Sequence, residues 1–413
     1  MSQSMTIPAT RPLFQTSDSE VLWRWIAFAF GAYWTVFALS SLKGHREPNV
    51  IGGILILAVV AWAALERLWV KVDGVVLAAV GAMFIPAVQA LAGDTTQTSQ
   101  AVFKHESICA VMAISRLLRL PPASRSKARW LLAVPVLIVL ALSVAVGRGD
   151  AFDPARRAGL FVNPNNLALI PFLLLFLIDE FRDPLVLRMG VHAVVIAVLI
   201  FSGTSGATIA YIIGLAVHLR CRISPHLRLL ALAGILAAGS AGAAFLIFGG
   251  PDALPETRLV KQIELMRNQF QNVMEGGEIP YYQQERLLGP GATSGVWRLA
   301  HWRHTIIIYE QATPTEQLLG LGIGASPLLL PNYPHNEYLR VLFEQGVVGL
   351  TLFLAAWWMI IKTAPAALRY IALIVAIYSF SENNLDNFPF MALLILFLAA
   401  SDRAVTPPLR QSQ

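Results

Sequence analysis

Charge is what this chain has least of. Only 14% of its 413 residues are Asp, Glu, Lys or Arg, against roughly a quarter in soluble domains. Apolar residues make up 56%, and mean hydropathy is +0.60. A water-soluble fold of that composition would expose apolar surface on a scale that monomers do not tolerate, so a soluble enzyme is excluded. Cysteine is nearly absent as well. Cys109 and Cys221 both fall in or beside apolar runs, so neither a disulfide framework nor a cysteine metal site is expected. The chain has no P-loop, no nucleophile elbow and no paired-carboxylate site. It has no internal repeat either, which counts against an inverted-repeat transporter.

What the chain does have is a series of apolar runs of about 15 to 25 residues, the length that crosses a bilayer. About twelve spans are expected, near residues 21–42, 49–66, 72–92, 101–118, 129–147, 165–180, 186–202, 206–219, 227–249, 346–362, 367–381 and 386–402. The first is too long and too aromatic for a cleaved signal and is read as retained. The turn Ser202-Gly203-Thr204-Ser205-Gly206 is either a tight hairpin or a break within one long segment.

Basic residues orient the spans. Arg116, Arg119, Arg125, Lys127 and Arg129 lie between the fourth and fifth. Arg182 and Arg188, then Arg220, Arg222 and Arg228, then Lys362 and Arg369 lie in three further loops. All four loops fall on one side of a twelve-span arrangement, which is read as cytoplasmic with both termini. The net charge of +6 reports these loops rather than nucleic-acid binding. The expected fold is an all-α polytopic membrane protein: residues 1–249 with nine helices, a long outer loop at 250–334, and residues 335–413 with three more. A loop of that length is usually functional or separately structured. Within it, Arg258 to Val273 places Leu259, Ile263, Met266 and Phe270 at amphipathic helical spacing, and Val296 to Tyr309 reads as a second helix.

Several outer-side cations break the positive-inside trend: Arg148, Arg156 and Arg157 before the sixth span, and Arg258, Lys261, Arg267, Arg286, Arg298 and Arg303 in the long loop. Guanidinium groups bind phosphate oxygens in bidentate fashion and stay charged. The plainer reading pairs them with the loop's own acids, Glu256, Glu264, Glu285 and Glu310. His335 follows Pro334 at a helix start, just before an apolar span. There it feels the positive end of the helix dipole, which favours a neutral ring that can act as a base. Glu344, deeper on the same helix, is costly if unpaired and is expected to pair with an arginine or support the site. His301 and His304 form an HxxH pair without an obvious third metal ligand.

Three stretches carry a family resemblance. Arg157-Ala158-Gly159-Leu160-Phe161-Val162-Asn163-Pro164-Asn165-Asn166 is similar to an element that opens a span. Arg298 to Trp302 with Leu319-Gly320-Leu321-Gly322-Ile323-Gly324 is similar to Arg-x-x-x-Trp and Gly-x-Gly elements. His335-Asn336 through Gly346 and Gly349-Leu350 resembles the signature of the O-antigen ligase and polymerase superfamily. One long outer loop between spans nine and ten makes the chain look most like the ligases. The resemblance implies a fold related to class C glycosyltransferases in a bacterial inner membrane, with the active site facing the periplasm. It implies transfer of a preassembled glycan from undecaprenyl pyrophosphate to a sugar hydroxyl of lipid A-core. That reaction is inverting and needs no metal or other cofactor. His335 would be the base, with Asn336, Glu344 and His301 in support and arginines on the pyrophosphate, Arg157 and Arg298 foremost and the other outer-side cations as further candidates. The alternatives are an O-antigen polymerase or a protein O-oligosaccharyltransferase. One departure stands out. The family often has Ser-Arg-Gly near the turn between spans seven and eight, whereas here Ser205-Gly206-Ala207 lacks the arginine. That leaves its role to Arg148, Arg156 or Arg157.

Overall fold

A computed structural model describes residues 74–93, 97–117, 125–149, 156–178, 183–220, 294–364 and 366–391, apart from a few interior positions, together with residue 394 and isolated positions near the N-terminus. The expected first, second, ninth and most of the twelfth spans, and the helix at Arg258 to Val273, lie outside the described residues.

The described chain is helical, with no strand among the described residues and one isolated bridge between Gly149 and Arg157. Its helices are α1 (Gly74–Met83), α2 (Ile85–Leu91), α3 (Ser99–Leu117), α4 (Arg125–Val146), α5 (Pro164–Leu169), α6 (Leu185–Ser202), α7 (Ser205–Arg220), α8 (Ser294–Glu310), α9 (Pro314–Leu319), α10 (Ser326–Leu329), α11 (Glu337–Thr363) and α12 (Ala366–Tyr378). Among the described residues, Gly74–Leu91, Leu185–Ser202 and Glu337–Thr363 are long and apolar enough to cross a membrane. Together with shorter apolar helices they make a multi-pass membrane protein.

Local chemistry explains the boundaries. Asn163 caps α5 by accepting the Asn165 amide at 2.8 Å, and Pro164 supplies a preset φ at the first helical position. The chain then tightens into a 3-10 stretch, Ile170–Leu177, in which every residue is buried. A segment that is apolar all round has no solvent face and sits among other helices. The turn after α6 is a tight hairpin, one of the two forms the sequence allows. Gly203 takes a left-handed conformation (φ 63°) and closes the last turn with bonds to the carbonyls of Leu199 and Ile200. Behind it, α7 packs closely on α12. Gly214 allows that approach, since a Cβ there would collide with Ile374.

The helix that follows His335 runs from Glu337 to Thr363, about nine residues earlier than the apolar run alone suggests, and it breaks at Gly346 (φ 65°, ψ −168°). The break is stabilised from outside. Gln89 of α2 is buried, and its side-chain amide donates to the Glu344 and Leu319 carbonyls at 2.7 and 2.6 Å. Carbonyls freed by a helix break must find partners in an apolar interior. The segment after α9 presses its backbone onto the same turn, with Leu321 N donating to Phe343 O at 2.9 Å. Contact this close admits no side chain at Gly320 or Gly346, which is the physical use of the glycine-rich element.

Candidate active site

His335 stands in an unusual backbone position. Its φ is 49°, and it is the one non-glycine residue with positive φ among the described residues. A β-carbon makes that region unfavourable, so neighbours must hold it there. Trp302 of α8 does so in part, its indole N–H donating to the Pro334 carbonyl at 2.7 Å. On the other side Asn336 caps α11, accepting the Leu339 amide at 3.1 Å. His335 therefore lies just outside the helix that it precedes.

The ring's charged neighbour is a carboxylate. His335 Nδ1 lies 2.9 Å from Oε1 of Glu382, which sits in the turn between α12 and a short 3-10 segment, Asn384–Asp386. The Glu382 side chain is 7% exposed and that of His335 27%. Burial pushes the Glu382 carboxyl upward. The charge and hydrogen bond of His335, the charge of Arg298 and the Asn383 amide outweigh burial and hold it below the ordinary carboxylate range. An ionised carboxylate only accepts, so Nδ1 carries a proton, and in the neutral form of the ring Nε2 is the acceptor.

The other oxygen continues the chain of contacts. Glu382 Oε2 accepts a hydrogen bond from the Asn165 side-chain amide, and Asn165 Oδ1 accepts one from Arg156 Nη2 at 2.5 Å. Tyr378 donates to the Asn165 carbonyl at 3.3 Å. Arg156 and Arg298 both act electrostatically on Tyr378. The result is a side-chain sequence Arg156–Asn165–Glu382–His335, buried at its two middle members and partly exposed at its ends, with Arg298 acting on Glu382.

The arginines separate clearly. Arg156 leans on the α6–α7 hairpin, its Cγ 3.3 Å from where a Cβ on Gly203 would stand. A side chain at Gly206, where the expected Ser-Arg-Gly pattern has its arginine, would instead strike Ser381. Arg156 thus packs its aliphatic stem against the turn that lacks an arginine, while its guanidinium bonds Asn165. Arg157 is exposed and donates to the Gly147 carbonyl at 3.3 Å. Arg148 is also exposed, and its carbonyl ties down the Ala158 and Gly159 amides. Arg303 is half-buried on α8. Arg258, Lys261, Arg267 and Arg286 lie outside the described residues.

The expected supporting residues divide in the same way. Asn336 is the cap already described. His301 is buried on α8 while His304 is exposed. Glu344 is not beside His335. It is buried along the wall of a separate cavity, where Oε1 accepts the Ser326 amide at 3.3 Å. Sequence reasoning missed Glu382 and gave Asn165 no role. A signal for Glu382 existed, because it is a lone acid in the short loop between the last two expected spans.

A half-buried histidine oriented by a buried carboxylate, with Arg298 acting on that carboxylate and Arg156 two contacts away through Asn165, can take a proton from a hydroxyl while anionic oxygens are held nearby. The class is then that of a multi-pass membrane transferase. A family model described as O-Antigen ligase matches residues 190–354, and this stretch belongs to the O-antigen ligase superfamily. It contains Arg298 and His335, begins after Arg156 and Asn165, and ends before Glu382. A search of curated proteins finds no match to the chain.

Proposed function

We propose that this protein is an O-antigen ligase of the bacterial inner membrane. It moves a preassembled glycan from undecaprenyl pyrophosphate to a sugar hydroxyl of lipid A-core on the periplasmic face. The observation that carries the reading is the His335–Glu382 pair within reach of Arg156 and Arg298.

In this mechanism the acceptor hydroxyl loses its proton to His335 Nε2 as its oxygen attacks the anomeric carbon from the side opposite the pyrophosphate. The glycosidic bond to phosphate breaks, and configuration inverts. Glu382 holds the Nδ1–H tautomer and stabilises the ring as it gains charge, the part a carboxylate plays in hydrolase triads. Pyrophosphate leaves carrying its own electrons. Arg156, fixed by Asn165, and Arg298 neutralise the charge that develops on it. Arg156 takes the role left open by the missing arginine of the hairpin.

The proposed arrangement keeps residues 1–249, 250–334 and 335–413 as N-terminal spans, outer loop and C-terminal spans, with both termini cytoplasmic. One feature supports a common outer side. The segment before α5, the α6–α7 hairpin, the turn before α11 and the turn after α12 are four expected outer loops, and they meet at one cluster. Cysteines placed at Glu278 and at Ser124 should label from opposite faces of the membrane. Labelling from one face would remove this topology.

The decisive assay mixes purified protein with undecaprenyl-pyrophosphate glycan and rough lipopolysaccharide, with and without His335→Ala. Glycan on lipid A-core supports the ligase reading. Longer glycan that remains on undecaprenyl identifies a polymerase.

A further inference from the structure

A second polar region lies on the other side of the first turns of α11. A cavity of about 330 Å³ is enclosed by α1, α3, α10, α11 and the strap at Tyr333, and His335 is not among its walls. Its lining changes character along its length. On α3 the wall runs from Lys104 and His105 to Ile108, Cys109 and Met112. On α11 it runs from Arg340 and Glu344 to Leu352, Phe353 and Ala356. Both helices thus change from polar to apolar in the direction of the chain, while α1 contributes the small residues Ala78, Ala79 and Ala82 that leave the space open. From Arg340 to Ala356 the α11 wall covers at most about 24 Å of helical rise. The polar end lies beside Thr98 and Tyr333, at the same end of α11 as His335.

The polar end is charged, its cations Lys104 and Arg340 standing near the carboxylates Glu344 and Glu337. Two cations, Lys104 and Arg340, line it with one carboxylate, Glu344, which is engaged with the Ser326 amide. His105 donates from Nε2 to the Ala82 carbonyl at 3.0 Å. Arg340 is held in place, since Glu337 Oε1 binds its Nη2 at 2.8 Å and its guanidinium lies 5.5 Å from the Tyr333 ring centroid. The other oxygen of Glu337 accepts the Leu385 amide at 2.9 Å, three residues from Glu382. The cavity wall and the turn carrying the His335 partner therefore share one buried carboxylate.

We infer that this cavity binds an anionic glycerophospholipid of the surrounding bilayer, its phosphate on Lys104 and Arg340 and one acyl chain along the apolar half. A cavity with two cations among the polar groups at one end and an apolar lining at the other matches a phosphate-bearing amphiphile better than a free sugar or a free anion. The occupied site steadies Arg340, and through Glu337 the 382–387 turn. This coupling to transfer rests on the catalytic reading above, but lipid binding does not.

The test uses the full chain, delipidated in dodecyl maltoside and titrated with dioleoyl-phosphatidylglycerol, with bound lipid read by native mass spectrometry. Dioleoyl-phosphatidylcholine and inorganic phosphate are the comparison arms. Lys104→Gln should weaken phosphatidylglycerol binding about tenfold, the loss of one charged hydrogen bond, and Ala82→Phe should block it by filling the slot. Arg340→Gln is avoided because it strands the buried Glu337. His335→Ala should leave lipid binding unchanged, which separates this site from the catalytic one. Phosphatidylglycerol should stimulate transfer by the wild type and not by Lys104→Gln. Equal binding of phosphatidylcholine, or unchanged binding in both Lys104→Gln and Ala82→Phe, overturns the proposal. Displacement of phosphatidylglycerol by millimolar inorganic phosphate reassigns the site to a free anion and overturns it as a lipid site.

Discussion

Two polar regions flank the start of α11, and they are built on opposite plans. Around His335 every step from Arg156 to the ring is a direct contact between side chains, with Glu382 and Asn165 buried. Around Lys104 and Arg340 the polar groups stand on the wall of an open cavity. In an apolar chain each buried polar group is expensive unless it is paired. A closed network meets that cost with its own members and fixes one ring in one tautomer. An open wall sets paired groups such as Arg340 on Glu337 beside a space that an occupant can enter. The first plan suits bond-making and the second suits binding.

That contrast can be broken at several points. The largest effect is expected from His335→Ala, which should lower transfer by about 10²–10⁴-fold, the contribution of a general base, with little change in thermal stability. A variant that melts earlier yet transfers at near wild-type rate would make His335 a structural residue and dissolve the distinction.

Glu382→Gln should follow, with a loss on the order of 10²-fold or more, as for a triad carboxylate. Unlike His335→Ala it should also destabilise, because an amide cannot accept from both His335 and Asn165; about 1–3 kcal/mol is expected by chemical denaturation. The same residue sets an acid limit. Its folded carboxyl lies below its unfolded value of about 4.3, so its stabilising contribution is complete above that pH. The contribution is lost as pH falls through the lower, folded value. The acid-unfolding profile of Glu382→Gln should lack that step.

Arg156→Ala and Arg298→Ala should each weaken donor use by roughly 1.5–3 kcal/mol, and Arg157→Ala should not, since its guanidinium is exposed on the Gly147 carbonyl. Equal losses at 156 and 157 would show that the closed network is not what selects the phosphate ligand. Asn336→Ala sharpens the comparison from the mild end, costing about 1 kcal/mol of stability as a lost cap with transfer largely retained.

The parts legible in advance and the parts hidden differ for one physical reason: range. Periodicity and composition are local, so the bounds of α3, α6, α7, α8 and α12 lie within a few residues of expectation. The hairpin at Gly203 and the cap at Asn336 are likewise written in turn chemistry. His335 was found because its neighbours in sequence carry the signal. Among the guanidinium groups, however, the sequence reading put Arg157 ahead of Arg156, and a shift of one residue decides that it is Arg156 that bonds Asn165 while Arg157 bonds the Gly147 carbonyl.

By itself, then, the sequence determined that this is a helical membrane chain with a histidine at the mouth of a span, because bilayer thickness, helix capping and glycine conformation act over one segment at a time. Only the tertiary structure decided that Glu382, 47 residues beyond His335, is its partner, that Arg156 packs against the hairpin and bonds Asn165, and that Glu344 faces a different cavity. Those facts depend on which helices touch, and burial in an apolar interior makes distant polar groups find one another because none can be left to water.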